Sequence, residues 1–385
     1  MALLAEDECQ FLLKERIRKV LDSTFQPGNY SILSFRRVDG GRGYASHVVS
    51  VELVWTDGLN QIEENKLLPS SLVLKLPTTS KFDHEGPDYC FQETTLKELH
   101  RTECQTYSFL QTISAKLNFK SFAPASFGLK MITGEVEKGF LALEDWSDGT
   151  VPDFAQGLSL EQAKAVLDGL ARLQAAGMLH DSWKAEAVQP RASKFQRIVK
   201  FKDFNHETML RECPDVYKVS KDMIDQIYDV ERIVASLIPE DPTDQVLVHG
   251  DLWPNNILFK KGDNGEASED LWGFCDWQDA HAGSPGEDLS RFLVYSLQPD
   301  LRRSQERSLL KHFYSALQQY LPKDKAIPFT FAQIERFYRE TMGHAALWLH
   351  LAPGFLGNFS EILPEQRRGL IWRAACAVQD ALSAE

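Results

Sequence analysis

Between positions 249 and 259 the chain reads HGDLWPNNILF, and from 273 to 280 it reads GFCDWQDA. The first stretch sets His249, Asp251, Asn255 and Asn256 directly before an apolar run, and the second sets Asp276 at the end of another. VLVHGD, ending at His249, ILFK and LWGFCDW read as short buried strands, and loops at strand ends are where chemistry is mounted. Asp251 and Asn256 lie five apart across one such loop. A carboxylate can accept the proton of an attacking hydroxyl. An amide oxygen and a second carboxylate can hold Mg²⁺, which prefers hard oxygen ligands. Together these groups suit phosphoryl transfer, provided that a cation elsewhere meets the phosphates from the other side.

The N-terminal third offers that cation. Residues 32–38 (ILSFRRV), 47–55 (HVVSVELVW), 127–132 (FGLKMI) and 138–146 (KGFLALEDW) read as strands, rich in β-branched and aromatic residues. In the strand SLVLKLP (71–77), alternation puts Leu72, Leu74 and Leu76 on one face and Val73 and Lys75 on the other. An ammonium inside a short apolar strand is costly unless it is paired, or unless it snorkels to water from an edge strand. The next segment, 93–117, is helical in period, and Glu103 falls on its apolar face between Leu99 and Tyr107. A Lys75–Glu103 pair satisfies both buried-looking charges.

Between the first two strands lies DGGRGYAS (39–46), with Gly41, Gly43 and Ser46 spaced to bring backbone N–H groups close to a phosphate. A plain hairpin turn explains the same stretch. Glu144 and Trp146 stand where an apolar run ends abruptly, at the expected boundary between a lobe of residues 1–148 and one of residues 149–385. Backbone groups there could read an adenine edge; a simple strand exit would look the same.

The remainder is mostly helical in pattern. The segment 158–178 carries a Ser159/Gln162 capping box and Gly177 as a stop. Helical stretches are expected near 218–238, 302–320, 330–350 and 363–383, and Asn264-Gly265 marks a hairpin turn.

Taken in order, GGRGYAS, VLKLP, the helix with Glu103, LALEDW, HGDLWPNN and CDWQ resemble the ecdysteroid-kinase-like (CHK kinase-like) family. That family is grouped with choline kinases and aminoglycoside phosphotransferases in the protein-kinase-like superfamily. The resemblance implies an α+β, two-lobed protein-kinase-like fold. Its N-terminal lobe is an antiparallel sheet with one helix, and its larger lobe is mostly helical. It implies ATP and Mg²⁺ as cofactors, Asp251 as catalytic base, and Asn256 and Asp276 as metal ligands. It further implies Lys75 on the ATP phosphates with Glu103 orienting it, Gly41, Gly43 and Ser46 covering them, and His249 supporting the catalytic loop. Asp288, in SPGEDLSRFL, matches a position that braces the loops. It follows Asp276 by only twelve positions, which leaves no room for a peptide-docking segment and favours a small-molecule hydroxyl acceptor.

Composition agrees with this and excludes other classes. With 43% hydrophobic and 25% charged residues the chain reads as soluble and globular. A net charge of −13 argues against nucleic-acid binding. Six scattered cysteines, no apolar stretch of membrane-spanning length and the acidic opening MALLAEDECQ point to a reducing, cytoplasmic setting. Two rivals stand beside the kinase: a silent nucleotide-binding module on the same fold, and a metal-dependent phosphohydrolase using His249, Asp251 and Asp276. Trp253 and Trp277 flank the acids and are expected to shape the site. Trp348, Phe355, Phe359 and Trp372, with His344 and His350, fit either an acceptor pocket or helix packing. An amine acceptor and an apolar alcohol are not separated by the sequence.

Overall fold

Alternating leucines build the first unit. In the computed structural model, which describes residues 6–38, 46–56, 62–63, 66–78, 93–117, 122–185, 195–196, 198–355 and 363–383, a five-stranded antiparallel sheet forms. Its strands are β1 (Tyr30–Arg37), β2 (Ser46–Trp55), β5 (Ser71–Pro77), β6 (Ser126–Lys130) and β7 (Phe140–Glu144), in the order β1-β2-β5-β7-β6. The short strands β3 (Ile62–Glu63) and β4 (Lys66–Leu67) pair separately. Leu72, Leu74 and Leu76 are fully buried and cluster with Val49, Val51 and Ala142. The sheet carries two helices, one more than expected. Helix α1 (Glu6–Thr24) supplies Ile17, Val20 and Leu21, at i, i+3 and i+4, to this core. Helix α2 (Glu93–Leu117) brings Glu103 to the other side of β5, where Lys75 emerges.

The chain divides into two units, Met1–Gln111 with Pro124–Asp148, and Thr112–Ala123 with Gly149–Glu385. In the second, α3 (Leu160–Leu179) starts with the reciprocal Ser159/Gln162 capping box. Gly177 does not stop it. The helix runs on to Leu179, and Gly177 lies inside its last turn, where its carbonyl accepts from Trp183 Nε1 at 3.0 Å. The pattern over 218–238 resolves into α5 (Lys221–Ile227) and α6 (Val230–Leu237), after α4 (Lys202–Glu212). The break falls at Tyr228-Asp229, where the Asp229 carboxylate caps α6 by accepting from Arg232 N.

Four strands surround the quoted motifs. β8 (Val246–Val248) pairs antiparallel with β11 (His281–Gly283), a strand that its three residues did not announce. β9 (Ile257–Lys261) and β10 (Ala267–Phe274) form a hairpin, with Gly265 at φ +81° in its turn. Four helices follow: α7 (Pro285–Ser296), α8 (Pro299–Tyr320), α9 (Phe331–Phe355) and α10 (Pro364–Ser383). Every residue of α7 is buried, its acids and its arginine included. A Cβ on Gly286 would collide with the Phe337 carbonyl of α9, so glycine sets how closely these helices pack.

Helix α9 also closes a buried polar network. The Tyr217 hydroxyl lies 3.0 Å from both His206 Nδ1 and His350 Nε2, and the Tyr228 hydroxyl lies 2.8 Å from His350 Nδ1. A neutral imidazole, donor at one nitrogen and acceptor at the other, satisfies both hydroxyls. Burial lowers the pKa of His350 to about 3, against 6.5 for the free side chain. Between these values the unfolded chain binds the extra proton, so the network's stabilisation is complete above about pH 6.5 and is lost as pH falls. The stability gap between wild type and His350→Gln should therefore narrow by about 2 kcal/mol between pH 7 and pH 5 in urea melts. A gap that stays constant would show that the ring takes up its proton as readily in the fold as in the unfolded chain.

Candidate active site

In the first unit, Lys75 Nζ lies 2.8 Å from Glu103 Oε1, with side-chain exposures of 14% and 2%. Strand pairing fixes Lys75 opposite Val48 on one side and Leu141 on the other, so its side chain leaves the sheet towards α2. Deleting one partner of a shielded pair strands the other charge. Lys75→Ala should cost about 3 kcal/mol in stability, whereas Lys75→Met with Glu103→Leu should recover most of that in a thermal melt. A double variant no more stable than the single would mean that the pair is not what holds these charges.

Ser46 is buried at the first position of β2, opposite Pro77. Gly41 and Gly43 lie outside the described residues. Glu144 ends β7 and accepts from the Ala125 backbone N–H at 3.2 Å, and Trp146 is buried just beyond it. Between them, Asp145 accepts from Ser50 Oγ at 2.9 Å and from the Ser147 backbone N–H at 2.9 Å.

In the second unit, the 249–256 loop is built around Asp251. Asn256 Nδ2 donates to the Asp251 carbonyl at 2.9 Å and to its Oδ2 at 3.1 Å. Two acceptors on one side fix which end of the amide is nitrogen and turn the Asn256 oxygen away. The Cys275 N–H donates to the Asn256 carbonyl at 3.0 Å, and Phe274 is in register with Ile257, so β9 and β10 bring Asn256 and Asp276 to one end of the hairpin. Asp276 has φ 65°, the left-handed region that Asp tolerates through local hydrogen bonding; among the described residues no other non-glycine has a positive φ. An amide oxygen and a carboxylate at neighbouring loop positions are a donor set that fits Mg²⁺.

His249 ties this loop together through both ring nitrogens. Its Nε2 faces the Cys275 carbonyl at 3.0 Å and must donate there, which leaves Nδ1 to accept from the Asp251 N–H at 3.3 Å. Burial lowers its pKa, in keeping with a neutral ring. Asp288, in the first turn of α7, accepts from the backbone N–H groups of His249 at 2.7 Å and Gly250 at 3.1 Å. Full burial pushes its pKa up to about 7 in spite of these two bonds.

Trp277 is completely buried, its ring centroid 4.4 Å from that of His249, so it packs beneath the loop and lines no open surface. Trp253 is partly exposed beside Phe154 and Tyr295. On α9, His350 is taken up by the tyrosine network, and His344 is buried and accepts from Trp348 Nε1 at 2.8 Å. Phe359 and the side chain of Phe355 lie outside the described residues. His281 bridges the Asp279 carbonyl and the Glu287 carboxylate, and among the described residues no three His, Cys, Asp or Glu side chains form a metal cluster.

Two features of this loop are not legible in the sequence. Gly250 has φ +79°, and a Cβ there would collide with the Asp279 carbonyl. Arg291, on α7, donates from Nη2 to Asp251 Oδ1 at 2.7 Å. Nothing within one helix signals a partner forty residues earlier; the only available hint is a cation in a segment otherwise as apolar as RFLVYS.

The family described as "Uncharacterized oxidoreductase dhs-27" (DUF1679), the ecdysteroid-kinase-like family, matches residues 14–359. The chain belongs to that family. The description names an oxidoreductase, whereas the match shows membership and not that activity. A Caenorhabditis elegans relative of this ecdysteroid-kinase-like chain, "Uncharacterized kinase-like protein D1044.1", is 24% identical over 278 residues, 70% of each chain. Among solved structures, a Ralstonia eutropha protein assigned as an aminoglycoside phosphotransferase superposes with TM-score 0.51 at 14% identity, covering 97% of this chain and 99% of the other. The spectinomycin phosphotransferase APH(9)-Ia, in complex with ADP and spectinomycin, gives TM-score 0.50 at 12% identity, covering 96% and 98%. The ecdysteroid-kinase-like chain thus has the protein-kinase-like fold, with an antiparallel sheet lobe and a mostly helical part. No helix among the described residues is long and apolar enough to cross a membrane.

Proposed function

We propose that this chain is an ATP- and Mg²⁺-dependent small-molecule kinase, transferring the γ-phosphoryl group of ATP to a hydroxyl of a small metabolite or xenobiotic. The observation that carries the reading is Asp251. Its side chain keeps 23% exposure while Asn256 and Arg291 fix its two oxygens, in a loop tied to Asp276. Family membership and the kinase-like relative support it.

In this reading residues 1–148 bind the nucleotide. Gly41, Gly43 and Ser46 cover its phosphates, Lys75 contacts them under the hold of Glu103, and the main chain around Glu144 and Trp146 meets the adenine. Residues 149–385 hold the acceptor. Asn256 and Asp276 would be the protein ligands of Mg²⁺, which when bound neutralises charge on the triphosphate. Asp251 accepts the hydrogen bond of the acceptor hydroxyl and aims its oxygen. As the new O–P bond forms, the bond from the γ-phosphorus to the bridging oxygen breaks, ADP leaves with that electron pair, and the hydroxyl proton passes to Asp251. The transition state is loose, so orienting the hydroxyl matters more than the basicity of the carboxylate, and an arginine on Asp251 is compatible with this role. The scattered thiols fit a cytoplasmic setting.

The test is a metabolite extract incubated with the protein and γ-labelled ATP, with and without EDTA. A hydroxyl compound that gains label only when Mg²⁺ is present is the expected result. ATP binding with no labelled product would favour the silent module, and phosphate release from monoesters without ATP would favour the hydrolase.

A further inference from the structure

Asp251 stands against a group of aromatic rings. The Arg291 guanidinium carbon lies 4.1 Å from the Tyr295 ring centroid and 4.9 Å from that of Trp348, and Arg291 Nη1 donates to the Tyr295 hydroxyl at 3.2 Å. Phe154 stacks on Tyr295 at 5.9 Å, and Trp253 meets both rings edge-on at 5.8 and 6.3 Å. Aromatic faces beside a carboxylate are the arrangement that captures an alkylammonium group. Here the protein's own cation fills it. The Arg291 side chain is only 6% exposed, whereas its Asp251 partner is 23% exposed. The HGDLWPNN loop contributes no Lys or Arg of its own, so the charge opposite Asp251 comes from α7.

We propose that Arg291 determines the charge selectivity of the acceptor side. It occupies the cation position between Tyr295 and Trp348, offsets the charge of Asp251, and thereby restricts the acceptor to an uncharged alcohol. An amino alcohol that brought its hydroxyl to Asp251 would find the aromatic position taken and a like charge beside it. The proposal rests on Asp251 facing the acceptor, as argued above. It separates the two acceptor chemistries that composition left together.

A matched pair of probes tests it. Choline and 3,3-dimethylbutan-1-ol have nearly the same shape and differ in one charge. Their binding to the full chain is read by calorimetry and by the fluorescence of the tryptophans, in wild type, Arg291→Met and Arg291→Lys. Wild type should bind choline at least tenfold more weakly than the neutral alcohol, or not at all. Arg291→Met, which keeps the stem and loses the charge, should gain choline binding, and Arg291→Lys should still reject it. Wild type binding choline as tightly as its neutral analogue would overturn the proposal. So would a folded Arg291→Met variant with no gain in choline binding. If the Met variant does not fold, the Lys variant decides, since choline binding there is equally incompatible. These ratios need no phosphoryl transfer. A protein that labels no alcohol from ATP would fail the kinase reading without altering them.

Discussion

Asp251→Asn should lower kcat for phosphoryl transfer by at least ~10²-fold, with binding of Mg²⁺-ATP nearly unchanged. Asparagine keeps the shape and one oxygen, so the hydrogen bond from Asn256 can persist. In the proposed mechanism it loses the charge that orients the hydroxyl and takes its proton. A second consequence follows from α7. Arg291 is buried and loses its carboxylate, so the variant should also lose about 2 kcal/mol of stability while remaining folded. Single-turnover kinetics on the acceptor found by labelled ATP, beside a urea melt, would read both effects. A variant with the wild-type rate would remove Asp251 from the reaction. Unaltered stability would mean that the ion pair is worth little.

Gly250→Ala should be nearly as damaging, for a backbone reason. The position needs φ +79°, and an added methyl would drive into the Asp279 carbonyl. Conformational strain and overpacking each cost on the order of 1–2 kcal/mol, so about 3 kcal/mol is expected. The loop can relieve the clash only by shifting Asp251 and the two N–H groups that Asp288 holds, which predicts a kcat loss beyond the stability loss. Gly265→Ala is the control. It has nearly the same φ, +81°, with nothing within 4 Å, and should cost about 1 kcal/mol without touching activity. Equal costs at the two positions would show that the Asp279 contact is unimportant.

These contrasts mark where the sequence is informative. Period-two alternation shows Leu72, Leu74 and Leu76 facing one way and Lys75 the other, because strand geometry is local. The Ser159/Gln162 box is legible for the same reason. Gly177 misleads, since a glycine inside the last turn of a helix has the same letter as one that ends it. Helix α1 passes unread because its buried stripe is interrupted by exposed Phe11 and Leu12. At the site, Asp251, Asn256 and Asp276 stand out as polar residues at strand ends. Arg291 does not, because its meaning comes from a carboxylate forty residues away and rings on three other segments. Trp277 shows the converse: proximity in sequence to Asp276 suggests an open wall, and burial makes it a support.

The Arg373 guanidinium, on α10, is buried and donates to the carbonyls of Phe154, Ala155 and Tyr295 at 2.7–2.9 Å. Two of these belong to the segment that carries the Phe154 ring, 218 and 219 residues earlier in the chain. On the ribosome, that segment and the end of α7 therefore leave the exit tunnel long before the side chain that ties them together has been synthesised. The aromatic wall beside Asp251 is thus completed late in vectorial synthesis.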